Sequence, residues 1–204
     1  MSWFVRNENW RTYIRRYPIT SLLMAINIIV FLFMTFGGGS TDFVTLIQYG
    51  AYFKPAILEG GEYFRFLTPI FIHIGWEHLL FNNFAILIFA PGLEIMLRKF
   101  RYLLLYLASG ASGFILTFLF SGPEVIAAGA SGSIFGIYGM YAYLARYRRD
   151  LMDTYSRQTI LPILIFGVIS TFVIPGISIL GHIGGLVTGY SLGFFLVKRR
   201  PVYY

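Results

Sequence analysis

The stretch "AAGASGSIFGIYG", residues 127–139, begins with small residues and ends as an apolar helical pattern. Two serines, Ser131 and Ser133, lie among its glycines. Small residues at a helix start are typical of close helix contacts in a membrane, and a serine in that position can also act as a nucleophile. The rest of the sequence must distinguish a helix contact from a catalytic site.

The composition indicates a membrane protein of the all-α class. Of its 204 residues, 57% are hydrophobic and 12% are charged, whereas a soluble domain carries about 25% charged residues. Crossing a bilayer takes about 20 apolar residues. We interpret six apolar runs as transmembrane helices, and the fourth of them is short. A turn near Pro175 and Gly176 separates the last two runs. The six spans cover residues 18–36, 78–97, 102–121, 130–145, 159–176 and 178–197.

The positions of the basic residues predict the orientation. Of the sixteen lysines and arginines, only Lys54 and Arg65 lie between spans one and two, and the other fourteen fall on the opposite side. Because positive loops stay inside, we expect both termini in the cytoplasm. Residues 1–17 and 198–204 are then cytoplasmic segments flanking a membrane domain over 18–197. Topology, rather than nucleic-acid binding, explains the net charge of +7.

Polar residues converge near the outer face in this orientation. His78 opens span two, Ser131 opens span four, and His182 lies about five residues into span six. All three therefore lie within roughly two helical turns, or about 11 Å, of each other in depth. Span four covers only about 22 Å of helix against about 30 Å of hydrocarbon, which places Ser131 below the outer surface. Residues 125–130 must then enter the membrane as a non-helical segment.

Glycine spacing predicts that spans four and six pack closely. Gly132 and Gly136 form one pair at an interval of four, and span six carries glycines at the same interval. Ser131 and His182 could therefore meet at hydrogen-bond distance, as a base-activated nucleophile requires. The glycines at this interval in span six are Gly181, Gly185, Gly189 and Gly193.

Span two offers two hydrogen-bond donors on one helix face. His78 and Asn82 are four residues apart, and both could point into the same cavity as Ser131. Such donors, together with the free backbone N–H groups at a helix start, can stabilise a developing negative oxygen.

Each of these residues also has a purely structural interpretation. Ser131 could make a small-residue helix contact, as we expect for Ser133, which lies about 200° around the helix. His182 could be a buried histidine bonded to a backbone carbonyl. His78 and Asn82 could form a polar clamp between helices. These residues agree in their depth in the membrane, in the side of the membrane on which they lie and in the helix contact. This agreement favours the functional interpretation of all of these residues together.

The acidic residues and the spacing of the histidines indicate neither a metal site nor a third catalytic residue. A zincin needs H-E-x-x-H, but His73 and His78 are five apart and Glu77 directly precedes the second histidine. We therefore expect no metal and no cofactor. Glu77 and Glu124 lie at loop positions in this interpretation, and Glu94 is expected to anchor the inner end of span two or to form an interhelical bond.

Four motifs resemble those of the rhomboid family of intramembrane serine proteases. "GASGSIFG" resembles the family's G-x-S-G motif, and "HIGWEHLLFNN" resembles its H-x-x-x-N element. "GHIGG" is similar to the stretch that carries the family's catalytic histidine, and "YFRF" to its Trp-Arg pair, with Phe64 in place of tryptophan. The resemblance runs from span one to span six and implies the six-helix core form of the fold.

The resemblance also implies roles for individual residues. Ser131 would be the nucleophile and His182 the base, with His78, Asn82 and the Ser131 amide as the oxyanion hole. Four further positions match supporting positions of the family. Phe135 would pack against the histidine, where the family often has a tyrosine, and Arg65 matches the loop arginine. The supporting positions are Gly129, Gly132, Phe135 and Arg65.

The sequence therefore predicts an intramembrane serine endopeptidase with a Ser-His dyad. Its partners would be transmembrane protein substrates, cut near the outer face, and the lipid bilayer, with no nucleic acid. We expect an integral, multi-pass protein of a bacterial cell membrane whose active site opens to the outer face. The alternative is a non-catalytic six-helix protein that binds or carries a transmembrane partner or a small solute.

Overall fold

The computed structural model describes residues 3–4, 7–173 and 176–197. The predicted tail 198–204 and Pro175 of the predicted turn lie outside this part. Within it the chain is mainly helical, with one two-stranded ribbon. The helices and strands, in chain order, are α1 (Trp10–Arg16), α2 (Pro18–Phe36), α3 (Phe43–Gln48), β1 (Tyr52–Phe53), α4 (Lys54–Leu58), α5 (Gly75–Leu97), α6 (Lys99–Phe120), β2 (Ile126–Ala127), α7 (Ser131–Tyr147), α8 (Thr154–Val173) and α9 (Ile179–Leu196).

The six long helices, α2 and α5 to α9, overlap the six predicted spans, although α8 begins at Thr154 and not at residue 159. In the described part of the chain, α2, α5, α6, α8 and α9 are long and apolar enough to cross a membrane. The remaining one, α7, has 17 residues, and every residue over 132–141 is buried. The short span is thus the central helix, surrounded by protein rather than by lipid. The predicted fold class, an all-α polytopic membrane protein, is confirmed.

Glycine allows α7 and α9 to approach until their backbones touch. A Cβ atom added to Gly185 would collide with the carbonyl of Gly132, and one added to Gly189 would collide with the carbonyl of Gly136. Only glycine leaves room for this contact, which is the small-residue packing that helices use in lipid. The predicted pairing of spans four and six is confirmed.

A third helix, α6, joins this contact, which the sequence analysis did not predict. A Cβ on Gly113 would lie 2.6 Å from the carbonyl oxygen of Gly181, and one on Gly184 would lie 2.9 Å from the Cα of Gly113. Ser112 adds a hydrogen bond, since its Oγ lies 3.0 Å from the Gly184 carbonyl oxygen and donates to it. The glycines of three helices therefore form one close-packed centre.

The outer segment between α2 and α5 is folded onto the helices and held by buried polar contacts. Arg65 is buried, and its Nη1 donates to the carbonyls of Ile47 (2.9 Å) and Ala51 (2.7 Å). Its Nε donates to Glu62 at 2.6 Å. These bonds satisfy a buried guanidinium that would otherwise be costly to keep out of water.

The segment that leads into α7 is non-helical, as the sequence predicts. Strand β2 pairs antiparallel with β1, with Ala127 opposite Tyr52. Next along the chain, the Gly129 N–H donates to the Pro69 carbonyl at 2.8 Å. The outer segment thereby fixes the point at which α7 begins.

At the opposite end of the bundle, Glu94 of α5 binds the start of α2. Its buried carboxylate accepts hydrogen bonds from the backbone N–H groups of Ile19 (2.9 Å) and Thr20 (2.8 Å) and from the Thr20 hydroxyl (2.7 Å). Helix N-termini have free N–H groups and favour negative charge. The predicted interhelical bond of Glu94 is confirmed.

The close contact of α7 with α9 generates a stability prediction. Gly185→Ala would place a methyl group against the Gly132 backbone, which cannot move aside as a flexible side chain can. We expect the free energy of unfolding to fall by about 1–3 kcal/mol, the usual cost of overpacking. Thermal unfolding of the purified protein in detergent measures it.

The matched control is Gly167→Ala on α8, where the new Cβ would lie 3.5 Å from the Phe135 ring in ordinary contact. Alanine gains about 0.5–1 kcal/mol over glycine inside a helix, so this variant should be as stable as wild type or more stable. Equal stability of the two variants would contradict the packing argument.

Candidate active site

Ser131 is the first residue of α7 and is half-buried. Two residues earlier, Gly129 has a φ of +121°, which L-residues with a side chain rarely adopt. A Cβ on Gly129 would lie 2.5 Å from Cε1 and 2.6 Å from Nε2 of His78. A glycine is therefore required at position 129, both because of the backbone conformation and because a side chain would collide with the His78 imidazole. The turn before Ser131 thus lies against His78.

His182, near the start of α9, is buried against Phe135 of α7. The two rings are stacked, with centroids 3.9 Å apart and planes inclined by 17°. Phe135 follows Ser131 by four residues and so lies on the same face of α7. A Cβ on Gly132 would lie 3.3 Å from the carbonyl oxygen of Gly181, the residue before His182. Ser131 and His182 therefore lie on adjoining parts of two helices in contact.

The bonding of the His182 ring differs in one respect from the sequence prediction. Among the described residues, no hydrogen bond joins Ser131 to His182 in this structure. Nδ1 of His182 instead lies 2.7 Å from Oγ1 of Thr171 on α8. Sequence reasoning did not select Thr171, because a threonine inside an apolar span has no local signal that distinguishes it.

His78 has its two ring nitrogens in different surroundings. The backbone N–H of Ile74 donates to Nδ1 over 3.4 Å, which is a long bond. A neutral imidazole that accepts at Nδ1 carries its proton on Nε2, the atom beside Gly129. The arrangement gives a hydrogen-bond donor at the turn that leads to Ser131.

His73 is a buried neighbour of His78 to which the sequence analysis gave no role. It is fully buried, and the two rings meet edge-on with centroids 5.2 Å apart. Burial, together with the neighbouring His78, lowers the pKa of His73 to about 3. His73 is therefore neutral at physiological pH and adds no charge beside His78.

Asn82 and Asn83 are adjacent but point to different partners. Asn82 is buried, and its Nδ2 donates to the His78 carbonyl one turn earlier at 2.8 Å, which leaves a second amide N–H. Asn83 instead accepts from Nδ2 of Asn27 on α2 at 3.0 Å. In the described part of the chain, the polar clamp between helices is made by Asn83, whereas Asn82 bonds within its own helix.

Ser133 and the nearby acidic residues are separate from this group. The Ser133 hydroxyl is buried and donates to the Tyr106 carbonyl at 2.7 Å, so Ser133 makes the helix contact that the sequence predicts. Glu77 and Glu124 are exposed. Contrary to the sequence interpretation, Glu77 lies in the first turn of α5 rather than in a loop, because that helix begins at Gly75.

Arg65 and Phe64 lie in the outer segment. Phe64 is 53% exposed, and the Arg65 guanidinium lies 5.4 Å from the centre of its ring. The bonds of Arg65 described above are all to residues of the outer segment itself. Arg65 therefore stabilises the folded conformation of the outer segment.

The fold is that of a polytopic helical membrane protein, and similarity to known proteins gives its class as that of the intramembrane serine proteases. The family model described as "Rhomboid domain" matches residues 60–199. The chain belongs to the rhomboid family.

Several curated relatives support this membership. The chain is 36% identical over 201 residues to "Putative rhomboid protease YdcA" of Bacillus subtilis strain 168, a match covering 97% of this chain and 98% of that protein. It is 39% identical over 171 residues to "Rhomboid protease GluP" of the same organism, covering 84% of this chain and 33% of the relative. "Rhomboid-type serine protease 2" of Emericella nidulans is 33% identical to the chain over 143 residues. This match covers 69% of this chain and 28% of the relative.

Proposed function

We propose that this protein is an intramembrane serine endopeptidase whose catalytic dyad is Ser131 and His182. The observation that carries the proposal is the stack of His182 on Phe135, one turn after Ser131, across the contact of α7 with α9. A nucleophile needs a base within reach, and it needs that base held in orientation. The packing of two rigid helices supports both requirements.

In the proposed mechanism, Ser131 Oγ attacks the carbonyl carbon of the scissile peptide bond while His182 Nε2 takes the hydroxyl proton. The protonated imidazole then gives this proton to the leaving amine, and an acyl-enzyme remains on Ser131. Water hydrolyses the ester in a second step with His182 again as base. The face of the Phe135 ring favours the imidazolium that exists between the two proton transfers.

The oxyanion formed in each step needs donors at the site. We assign this role to Nε2–H of His78, the second amide N–H of Asn82 and the backbone N–H of Ser131. The Ile74 bond to Nδ1 of His78 supports the assignment of the proton to Nε2. Donors fixed in place before the reaction stabilise charge that appears only in the transition state.

We further propose that the substrates are membrane proteins with a transmembrane helix that unwinds near the outer face and is cut beside small residues. The membrane is a bacterial cell membrane, the termini are cytoplasmic, and the site opens outward. The excess of positive residues at one side of the helices supports this orientation.

The dyad is tested with purified protein in liposomes and a transmembrane model substrate. Ser131→Ala and His182→Ala should each remove detectable cleavage, while Ser133→Ala retains it because Ser133 bonds to the Tyr106 carbonyl. A fluorophosphonate probe should label the wild type but not Ser131→Ala, which distinguishes a protease from a carrier. An active Ser131→Ala variant, or an inactive Ser133→Ala variant that folds, would show that the nucleophile is wrongly assigned.

The oxyanion assignment is tested with the two adjacent asparagines. His78→Ala and Asn82→Ala should each lower kcat about 10–100-fold with little change in KM. The loss of one oxyanion donor typically lowers kcat by a factor of about 10²–10³ at a dry site. We expect a smaller factor here because the proposed site opens to water. Asn83→Ala is the matched control. It should lower thermal stability and keep kcat near normal in the folded fraction. A destabilised Asn82→Ala variant with unchanged kcat would make Asn82 a clamp instead.

The orientation is tested with single cysteines, which the natural chain lacks. Glu59→Cys, in the outer segment, should react with a membrane-impermeant maleimide in intact cells. Arg149→Cys, between α7 and α8, should react only after permeabilisation. Both side chains are exposed, so access is set by the membrane alone. The reverse pattern would invert the proposed topology.

A further inference from the structure

Thr171 on α8 contacts the ring nitrogen of His182 that the dyad leaves unused. Its Oγ1 lies 2.7 Å from Nδ1 of His182, and the same hydroxyl donates to the Gly167 carbonyl at 2.8 Å. Thr171 is only 4% exposed. It is one of three buried residues that the described part of the chain places on α8, and the other two, Ser156 and Ile160, lie near the opposite end of that helix.

A threonine hydroxyl has one proton to donate and lone pairs with which to accept. When the proton is directed to the Gly167 carbonyl, Oγ1 can only accept from His182, so Nδ1 must carry the hydrogen. Nε2 of a neutral imidazole is then free of a proton, which is the form that a base requires. The two short distances together are those expected for the tautomer with the proton on Nδ1.

The same arrangement suits the protonated ring. An imidazolium donates from both nitrogens and accepts at neither. Thr171 can serve it only by accepting from Nδ1 and donating to Gly167. No rearrangement of the hydroxyl is therefore needed when His182 takes the proton of Ser131, because the Nδ1–H bond exists before and after the transfer.

We propose that Thr171 is a positioning residue for the reaction, which holds His182 in the Nδ1–H tautomer and orients Nε2 toward Ser131. The proposal rests on the proposed function, since it assumes that His182 is the base. In this role Thr171 takes up and releases no proton. It replaces, with a neutral hydroxyl from a third helix, the acidic residue that orients the histidine in serine protease triads.

The test compares Thr171→Val, which keeps the shape and removes the hydroxyl, with Thr171→Ser, which restores the hydroxyl. We expect Thr171→Val to lower kcat about 10–100-fold with little change in KM. This loss would be part of the rate enhancement of about 10²–10⁴ that a well-oriented general base supplies. Thr171→Ser should retain activity within about threefold of wild type, as expected if the hydroxyl alone is responsible.

The matched control is Ser170→Ala. Ser170 Oγ donates to the same Gly167 carbonyl at 3.0 Å, and the structure gives it no bond to His182. This variant should keep wild-type kcat. If Ser170→Ala lost as much activity as Thr171→Val, the effect would arise from the helix and not from the histidine, and the proposal would be wrong.

A second readout follows the proton directly. Nitrogen-15 spectra of histidine-labelled protein, assigned by comparison with His182→Ala, should show His182 protonated at Nδ1 in the wild type and a mixture of tautomers in Thr171→Val. If Thr171→Val does not fold, the wild-type spectrum decides alone, since a proton on Nε2 would overturn the proposal.

The two proposals fail in different ways. Full activity of Ser131→Ala and His182→Ala would overturn the dyad, and the role of Thr171 in it. Inactive dyad variants together with a fully active Thr171→Val of unchanged tautomer would overturn the role of Thr171 alone.

Discussion

The close approach of α7 and α9 through glycine is the constraint on which the rest of the structure depends. Lipid provides no hydrophobic drive for helices to associate, so the contact must be gained from packing at short range. Gly185 and Gly189 meet the carbonyls of Gly132 and Gly136, and any side chain at these positions would separate the helices. Ser131 precedes Gly132 in the chain, and Phe135 precedes Gly136. The helix contact therefore also determines where the candidate site residues lie.

Polar residues inside the bundle differ in whether they bond to another helix. Glu94, Asn83 and Ser133 bond to other helices and are satisfied there. In the described part of the chain, the Ser131 hydroxyl has no such bond, and Asn82 bonds only within α5. Ser131 and Asn82 therefore keep hydrogen-bonding groups that no other described helix uses, and a ligand could bind to them.

The peripheral helix α8 contacts His182 through Thr171. Most of its side chains are directed away from the bundle, but Thr171 reaches the ring of His182. The histidine is thus enclosed by Phe135 from α7 on its face and by Thr171 on its edge. The orientation of the His182 ring therefore depends on α7, α8 and α9. The glycine contact alone would fix the position of the His182 backbone but not the orientation of its ring.

The sequence by itself determined the six long helices and their order, because hydrophobic runs of membrane length are local properties. It also indicated the α7–α9 contact, since glycines at an interval of four mark one face of a helix. The motifs "GASGSIFG" and "GHIGG" carried the family resemblance. These signals need only the spacing of residues along one chain segment.

Tertiary structure alone decided which neighbours each polar side chain meets. Asn82 and Asn83 are the same residue type side by side, yet only Asn83 bonds to α2, because successive residues of a helix point about 100° apart. The participation of α6 in the glycine centre, the burial of His73 against His78 and the bond of Thr171 to His182 likewise join residues from separate segments. Spacing along one segment cannot reveal such contacts, since they exist only after the helices have packed.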